Sequence, residues 1–355
     1  MKILRLSTFL DFGGVETRLA TISHVQDENE WVFVCMNREG KAAKIIQKNK
    51  KRLINLNAKP SIYSLQTFFS VYKIIKREKP DVVHTSGAEA NFHGILAAKL
   101  AGVPKIIGEE IGTPNHSKKA QFIFSLVYRF ADFVVGNSQA VLDVVHRLDK
   151  VPMKKLKKID NPILFKDLGN YKRNEAANGF RMIMISRLEP VKNIEGVLNV
   201  FSRIKNDIEM NVKLIIAGSG QSETLLKQKV KDLGLENEVD FLGFINDPYP
   251  YLANADLYIL NSHSEGFSNS LVEAMYSKTP SLSTAVGAAP EIIEDGVNGF
   301  LTPANDEEAL YQKLKSILGL SKERLSEIGL SGHDKIVKSF SLENHINELM
   351  KIYKN

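Results

Sequence analysis

The chain has 355 residues, of which 43% are apolar and 25% charged, with a single cysteine and a net charge of +6. That length exceeds what one compact core usually holds, so two domains of similar size are expected. No run of about 18 uncharged apolar residues occurs, which excludes a membrane-spanning helix, and one cysteine excludes an internal disulfide.

In chain order, residues 1–7 read as a first strand, too short and too soon polar for a signal peptide. Cys35 lies in the apolar run 31–36 and is expected in a buried strand, which fits a reducing cytosol. Residues 3–6, 31–36, 82–84, 105–108 and 133–136 read as strands. Residues 15–25, 64–76, 88–100 and 121–130 read as helices between them. This alternation predicts a parallel sheet with helices on both faces. Lys41, Lys44, Lys48, Lys50, Lys51 and Arg52 form one basic cluster and Lys154, Lys155, Lys157 and Lys158 another. Solvated helix faces account for each cluster taken singly. Asn161-Pro162 and the polar stretch 169–179 interrupt the pattern. The domain boundary is placed there, giving domains at 1–165 and 175–340.

The alternation then restarts. Strands are expected at 181–186, 213–217, 239–242, 256–260 and 280–283, and helices at 194–205, 222–233, 270–277 and 307–318. A last helix, 341–353, has Ser341 as its N-cap. Neither half contains Gly-x-Gly-x-x-Gly or a Walker loop, which argues against a dinucleotide oxidoreductase or an NTPase. The basic residues are not interleaved with aromatics in a nucleic-acid module, so no nucleic-acid partner is expected.

The most informative stretch is Ser262-His263-Ser264-Glu265-Gly266-Phe267-Ser268-Asn269-Ser270-Leu271-Val272-Glu273. It places two carboxylates eight residues apart across a strand–turn–helix unit. The helix start offers free N–H groups and a dipole that favours an anion. Arg187 and Lys192 follow the first strand of the second half, and Gly218 ends the next strand among small residues. The loop 284–291 and the stretch 296–301 follow the fifth strand. Open parallel sheets bind ligands at the carboxyl ends of their strands, so these groups are expected to converge on one rim.

This arrangement resembles the retaining glycosyltransferases of family 4, with similarity over nearly the whole chain. Glu265 and Glu273 match the family's Glu-x7-Glu motif, and Arg187 and Lys192 its diphosphate-binding pair. Gly13-Gly14-Val15-Glu16 matches its glycine loop, Pro80–Gly87 its His-containing strand end, Asn137-Ser138 a later strand end and Asn161-Pro162 its linker. The resemblance implies an α/β fold of the GT-B type: two doubly wound Rossmann-like domains facing a central cleft. The N-terminal domain would bind acceptor, the C-terminal one nucleotide-sugar, and the helix 341–355 would pack back on the N-terminal domain.

It further implies a retaining transfer of a hexose or N-acetylhexosamine from a nucleotide-sugar, UDP-sugar by preference, to a glycan or lipid-diphosphate-linked acceptor in bacterial surface polysaccharide synthesis. The chain has no Asp-x-Asp. No metal and no cofactor are expected: Arg187, Lys192 and the N–H groups near Phe267, Ser268 and Asn269 would stabilise the leaving diphosphate. Glu273 would accept from ribose hydroxyls and Glu265 from hydroxyls of the transferred sugar. Gly14 would approach the phosphates, and the base would pack near Ile245. Anomeric retention would come from a front-side displacement. One departure is evident. Many members carry a His shortly after the strand at 105–108, where this chain reads Gly108-Glu109-Glu110-Ile111-Gly112-Thr113, with no His until His116. Glu109, Glu110 and His84 are each open to two readings: a sugar or acceptor contact, or an ordinary turn or packed residue.

The segment 118–130 is rich in aromatics behind Lys118 and Lys119, and reads either as an interfacial helix or as a core helix of the N-terminal sheet, the latter preferred. With the basic cluster 41–52 it suggests a cytoplasmic protein in peripheral contact with the inner face of the plasma membrane. Two other classes remain open at this stage: a non-catalytic partner subunit of the same fold, and an epimerase or phosphorylase of the same fold.

Overall fold

The computed structural model describes residues 1–11, 13–112, 117–171 and 179–355. His116 therefore lies outside the described residues, as does most of the polar stretch at 172–178. The chain divides into two units: Met1–Leu164 with Phe340–Asn355, and Phe165–Ser339.

The first unit alternates β1 (Lys2–Ser7), α1 (Gly14–Ile22), β2 (Glu30–Cys35), α2 (Lys41–Lys48), β3 (Arg52–Asn55), α3 (Leu65–Glu78), β4 (Val82–Ser86), α4 (Ala88–Ala101), β5 (Lys105–Glu110), α5 (Lys118–Val127), β6 (Phe133–Gly136), α6 (Gln139–Asp149) and β7 (Leu156–Lys158). Its seven strands are all parallel, in the order β3-β2-β1-β4-β5-β6-β7. Parallel neighbours need crossover helices, which cover both faces and leave the strands continuously apolar. Leu4, Leu6, Val34 and Val83 pack under α3, α4, α5 and α6. Ile3, Phe33, Val82 and Ile107 pack under α1, α2 and the C-terminal helix. Ser64 caps α3 by accepting from the Thr67 N–H, and Lys79 ends it in the left-handed conformation.

The second unit contains β8 (Phe180–Ile185), α7 (Ile194–Asp207), β9 (Val212–Ala217), α8 (Glu223–Asp232), β10 (Val239–Gly243), α9 (Tyr249–Leu252), β11 (Leu257–Leu260), α10 (Asn269–Tyr276), β12 (Ser281–Thr284), α11 (Ala289–Ile292), β13 (Phe300–Thr302), α12 (Glu307–Leu318) and α13 (Lys322–Ser339). Its sheet is parallel, in the order β10-β9-β8-β11-β12-β13. The final helix, α14 (Leu342–Lys354), belongs to the first unit and is capped by Ser341. Each sheet reverses its winding once, between β1 and β4 and between β8 and β11, and a crevice opens at the carboxyl end of such a point.

Several elements escape the sequence reading. Helix α2 shows in the sequence only as a lysine cluster; its inward face is Ala42, Ala43 and Ile46, with Ile45 partly buried beside them. Strands β3, β7 and β13 have three or four residues each, too few to show a period. Of the second basic cluster, Lys155 donates to the carbonyls of Arg129 and Ala131, Lys157 lies over the Phe133 ring and Lys158 pairs with Asp160. Cys35 is buried in β2, and burial pushes its thiol up to about 11.

Candidate active site

The switch point of the second sheet carries the charged residues singled out above. After β8 the chain runs through Arg187 into a short 3-10 turn, Pro190–Lys192. Asn193 then adopts a left-handed conformation and caps α7 by accepting from the Gly196 N–H. The turn is tied to the end of β11: the His263 N–H donates to the Val191 carbonyl at 2.8 Å, and Asn261 Nδ2 to the Asn193 carbonyl at 3.2 Å. These ties bring Lys192 onto Glu265. Lys192 Nζ donates to Glu265 Oε1, and Ser262 Oγ donates to the same oxygen at 2.9 Å. The two side chains keep 14% and 13% of their surface exposed, so the pair is enclosed yet reachable.

Two glycines make the rim possible. Gly218 has φ +140°, and a side chain there would stand 1.8 Å from the Ser186 carbonyl oxygen. Gly287 has φ +57°, and a side chain would meet the Glu265 carbonyl at 2.4 Å. Only glycine permits both the left-handed backbone and that approach. The Ala288 N–H donates to the Gly266 carbonyl, and Thr284 Oγ1 to the Ser262 carbonyl, so the loop after β12 braces the glutamate loop.

Helix α10 begins beside this pair. Ser268 caps it, its hydroxyl accepting from the Leu271 N–H, and the amides of Asn269 and Ser270 stand at its open start. Phe267 and Asn269 are half-buried and Ser268 is buried. Glu273 follows within α10, half-buried. Burial pushes its carboxyl up to about 7; Lys166 pulls it down and Asp247 pushes it further up. Nearby, Lys166 and Tyr171 both bond Asp247, at 3.0 and 2.9 Å. Ile245 is half-buried beside the exposed Phe244 ring, in the loop after β10.

The structure thus joins Lys192 and Glu265 directly. It does not join Arg187 to them. Arg187 is 65% exposed and pairs with Glu189 at 2.6 Å. No hydrogen bond among the described residues links Glu273 to the pair either. Ser262 and Gly287 lie within the stretches expected on this rim; Asn261, just before the first of them, shows only as a small polar residue at a strand end. Among the described residues, no group of three His, Cys, Asp or Glu side chains could hold a metal ion.

In the first unit Gly14 opens α1 and is exposed, and nothing lies within 4 Å of where a side chain would stand. His84, Glu109 and Glu110 correct the expectation of a sugar or acceptor contact. All three are buried. Glu109 is bonded to Arg5, Arg18 and Ser86; His84 Nδ1 lies 2.6 Å from the Tyr353 hydroxyl; Asn91 donates to Glu110. The Tyr128 hydroxyl also donates to Glu110. His84 Nε2 also lies 3.4 Å from Glu109, whereas Glu110 is held separately by Asn91 and Tyr128. The segment 118–130 follows the preferred reading of a helix packed on the N-terminal sheet, with one face left exposed. Phe124, Val127 and Tyr128 are core, but Phe122, Leu126 and Phe130 are exposed.

Comparison with known proteins adds independent findings. The family described as "Glycosyl transferases group 1" matches residues 170–329, and that described as "Glycosyltransferase Family 4" matches residues 12–163. The chain is 26% identical to a Campylobacter jejuni GalNAc-alpha-(1->4)-GalNAc-alpha-(1->3)-diNAcBac-PP-undecaprenol alpha-1,4-N-acetyl-D-galactosaminyltransferase, covering 99% of this chain and 98% of that protein. It is 26% identical to an Escherichia coli UDP-Gal:alpha-D-GlcNAc-diphosphoundecaprenol alpha-1,3-galactosyltransferase, over 82% of this chain and 80% of that one. Among solved structures, Anabaena Alr3699/HepE in complex with UDP superposes with a TM-score of 0.87 at 22% identity, covering 99% of both chains.

Proposed function

Since the chain belongs to the group 1 glycosyltransferases, with the GT-B fold, we propose that it transfers a hexose or N-acetylhexosamine from a UDP-sugar to a lipid-diphosphate-linked or glycan acceptor, with anomeric retention and without a metal ion. The observation that carries this reading is the enclosed but reachable Lys192–Glu265 pair beside the open start of α10.

In the proposed step the bond between the sugar's anomeric carbon and the diphosphate breaks, and a bond from that carbon to an acceptor oxygen forms on the same face. The acceptor's proton passes to the departing phosphate oxygen. Negative charge grows on that oxygen as the bond lengthens. Lys192 and the amides of Asn269 and Ser270 are placed to stabilise it, and preorganised donors of this kind act without reorganising. Arg187, itself exposed and paired with the half-buried Glu189, is free to turn onto the diphosphate. Glu265 accepts hydroxyls of the transferred sugar while Lys192 engages phosphate. Glu273 accepts the ribose hydroxyls, and Ile245 packs against the base. UDP is preferred because the Escherichia coli relative is named for UDP-Gal and the HepE structure holds UDP.

The lipid-linked acceptor is supported by the names of both bacterial relatives. It also suits a surface of the first unit. Tyr63, Leu65, Phe69, Phe122 and Leu126 are exposed, and Lys119 lies over the Tyr63 ring at 5.9 Å. Aromatics flanked by lysines fit the boundary of an anionic bilayer. Flotation with anionic liposomes at low salt tests this; protein remaining in the soluble fraction ends the membrane reading. For the donor, a thermal-shift screen against UDP-, GDP- and ADP-sugars is decisive. A ligand at a hundred times its dissociation constant stabilises by about 2.7 kcal/mol, and no shift with any UDP-sugar defeats the donor assignment.

A further inference from the structure

The first unit encloses an ionic cluster that neither the fold nor the transfer chemistry above accounts for. Arg5 in β1 and Arg18 in α1 both reach the Glu109 carboxylate of β5, Arg18 Nη2 at 2.5 Å and Arg5 Nη2 at 3.1 Å, with every one of these side chains buried. Ser86 Oγ donates to Glu109 Oε2 at 2.5 Å. Burial, then the neighbouring Arg5, pushes His84 down to about 4, so its ring is neutral near pH 7. Two guanidinium groups therefore share one carboxylate, and one positive charge is left over. Apart from its Nε, which has no partner among the described residues, Arg5 is served by Ser86, by Tyr353 Oη at 3.3 Å and by His84 Nδ1 at 3.1 Å. Arg18 is not. Its Nε and Nη1 are buried and find no hydrogen-bond partner among the described residues.

An extra buried cation with idle donors lowers stability. An apolar side chain of similar length in such a place is often neutral or stabilising. Folding alone gives no reason for Arg18. Its position does. Arg18 stands about one turn after Gly14 on α1, and its one ion pair among the described residues ties that helix to the carboxyl end of β5. The pair fixes how far along its axis, and at what rotation, α1 begins.

We propose that Arg18 is a positioning residue for glycosyl transfer: its buried ion pair with Glu109 sets where Gly13 and Gly14 present their N–H groups to a substrate phosphate. This rests on the reading that the Gly14 loop contacts the nucleotide-sugar.

The test uses the full chain with Arg18→Met and Arg18→Lys. Arg18→Met leaves Arg5 and Glu109 as a balanced pair, so its thermal midpoint should equal or exceed that of the wild type. Amide exchange of residues 17–22 should nonetheless quicken at least tenfold, and kcat should fall at least tenfold in the UDP-sugar assay. Arg18→Lys, which keeps the charge, should recover part of both and stands as the second variant if the first does not fold. Exchange and kcat within twofold of wild type in Arg18→Met overturn the proposal. So does a loss of both that merely follows a lowered midpoint. The wild type separates the two readings: no transfer from any sugar defeats the parent function, while equal transfer by wild type and Arg18→Met defeats the positioning role alone. The exchange measurement decides the ion pair's hold on α1 in either case.

Discussion

Two clusters of cation and carboxylate sit at equivalent places in the two units. Each lies at the carboxyl ends of strands flanking the point where a parallel sheet reverses its winding, β1 with β4 and β5 in one unit, β8 with β11 in the other. Lys192 and Glu265 keep part of their surface open, and Glu265 has one hydroxyl donor besides the lysine. Arg5, Arg18 and Glu109 are closed off, under α1 and the Tyr353 end of α14. The same pairing of charges thus occurs in two settings, one reachable and one sealed. An ion pair that solvent can reach can exchange its partner for a ligand's phosphate or hydroxyl. One sealed from solvent can only hold elements in place.

The sharpest way to break that comparison is to neutralise the carboxylate in the sealed cluster. Glu109→Gln leaves two buried guanidinium groups without a counter-charge and should cost about 3–5 kcal/mol in urea unfolding. A loss below about 1 kcal/mol would mean that water reaches the cluster and the contrast is false. The pH dependence has the matching sign. Burial alone would raise the Glu109 carboxyl, but Arg18, His84 and Arg5 hold it well below the usual carboxylate range. A depressed folded value contributes stability above the ordinary carboxylate pKa, and that stability is lost as pH falls toward the folded value. The stability that Glu109 contributes should therefore be lost only as pH falls below the ordinary carboxylate value of about 4.3.

In the open cluster the corresponding change should spare the fold and remove the chemistry. Lys192→Ala should lower kcat by about 100- to 1,000-fold, the usual loss of one preorganised donor, with a thermal midpoint near that of the wild type. Unchanged turnover would sink the assignment of Lys192 to the leaving diphosphate.

The two clusters were not equally legible in the sequence. Glu265, Glu273, Arg187 and Lys192 stand at the ends of apolar runs, where a parallel sheet puts its ligands, so their spacing carried information before any coordinates. Glu109 stands at a strand end too, but a charged strand end reads the same whether solvent or Arg18 faces it. A signal was present and passed over. Arg5 interrupts Ile3-Leu4-Arg5-Leu6 inside a strand buried on both faces, and a lone charge there demands an opposite one on a neighbouring strand. Nothing local points to Tyr353, nearly 350 residues away along the chain. Nor does sequence reveal that Arg187 turns to Glu189, because short-range pairing in a loop depends on its backbone path.

Glu273 sharpens the comparison from the side of pH. Its carboxyl is raised to about 7 by burial, and a raised folded value favours the protonated form. In the free protein the contribution is fully present below the ordinary carboxyl pKa and lost as pH rises through about 7. Ribose hydroxyls need the ionised form. Donor affinity should therefore move the opposite way, weakening about tenfold between pH 8 and pH 6 in calorimetry, with one pKa unit worth about 1.4 kcal/mol. Glu273→Gln should flatten that profile; a profile unchanged by the substitution would remove Glu273 from the donor site.

Gly14→Ala asks the same question without charge. Nothing surrounds the position, and alanine favours a helix over glycine by about 1 kcal/mol, so stability should hold or rise slightly. A loss of transfer despite that gain would place a ligand where the side chain now stands, and full activity would clear the loop of any phosphate contact.

The smallest expected effect comes from Glu189, the half-buried partner of the exposed Arg187. Exposed pairs of this kind contribute a few tenths of a kcal/mol at most, so Glu189→Gln should leave the thermal midpoint unmoved. Its effect on donor binding depends on what Arg187 does. If the guanidinium must leave Glu189 to meet the diphosphate, releasing it beforehand removes a small competing attraction, and the donor should bind slightly more tightly at low salt, the gain fading as salt screens it. Weaker binding would mean that Glu189 orients Arg187 toward the phosphates rather than competing with them, and the open cluster would then contain a positioning carboxylate of its own, as the sealed one does.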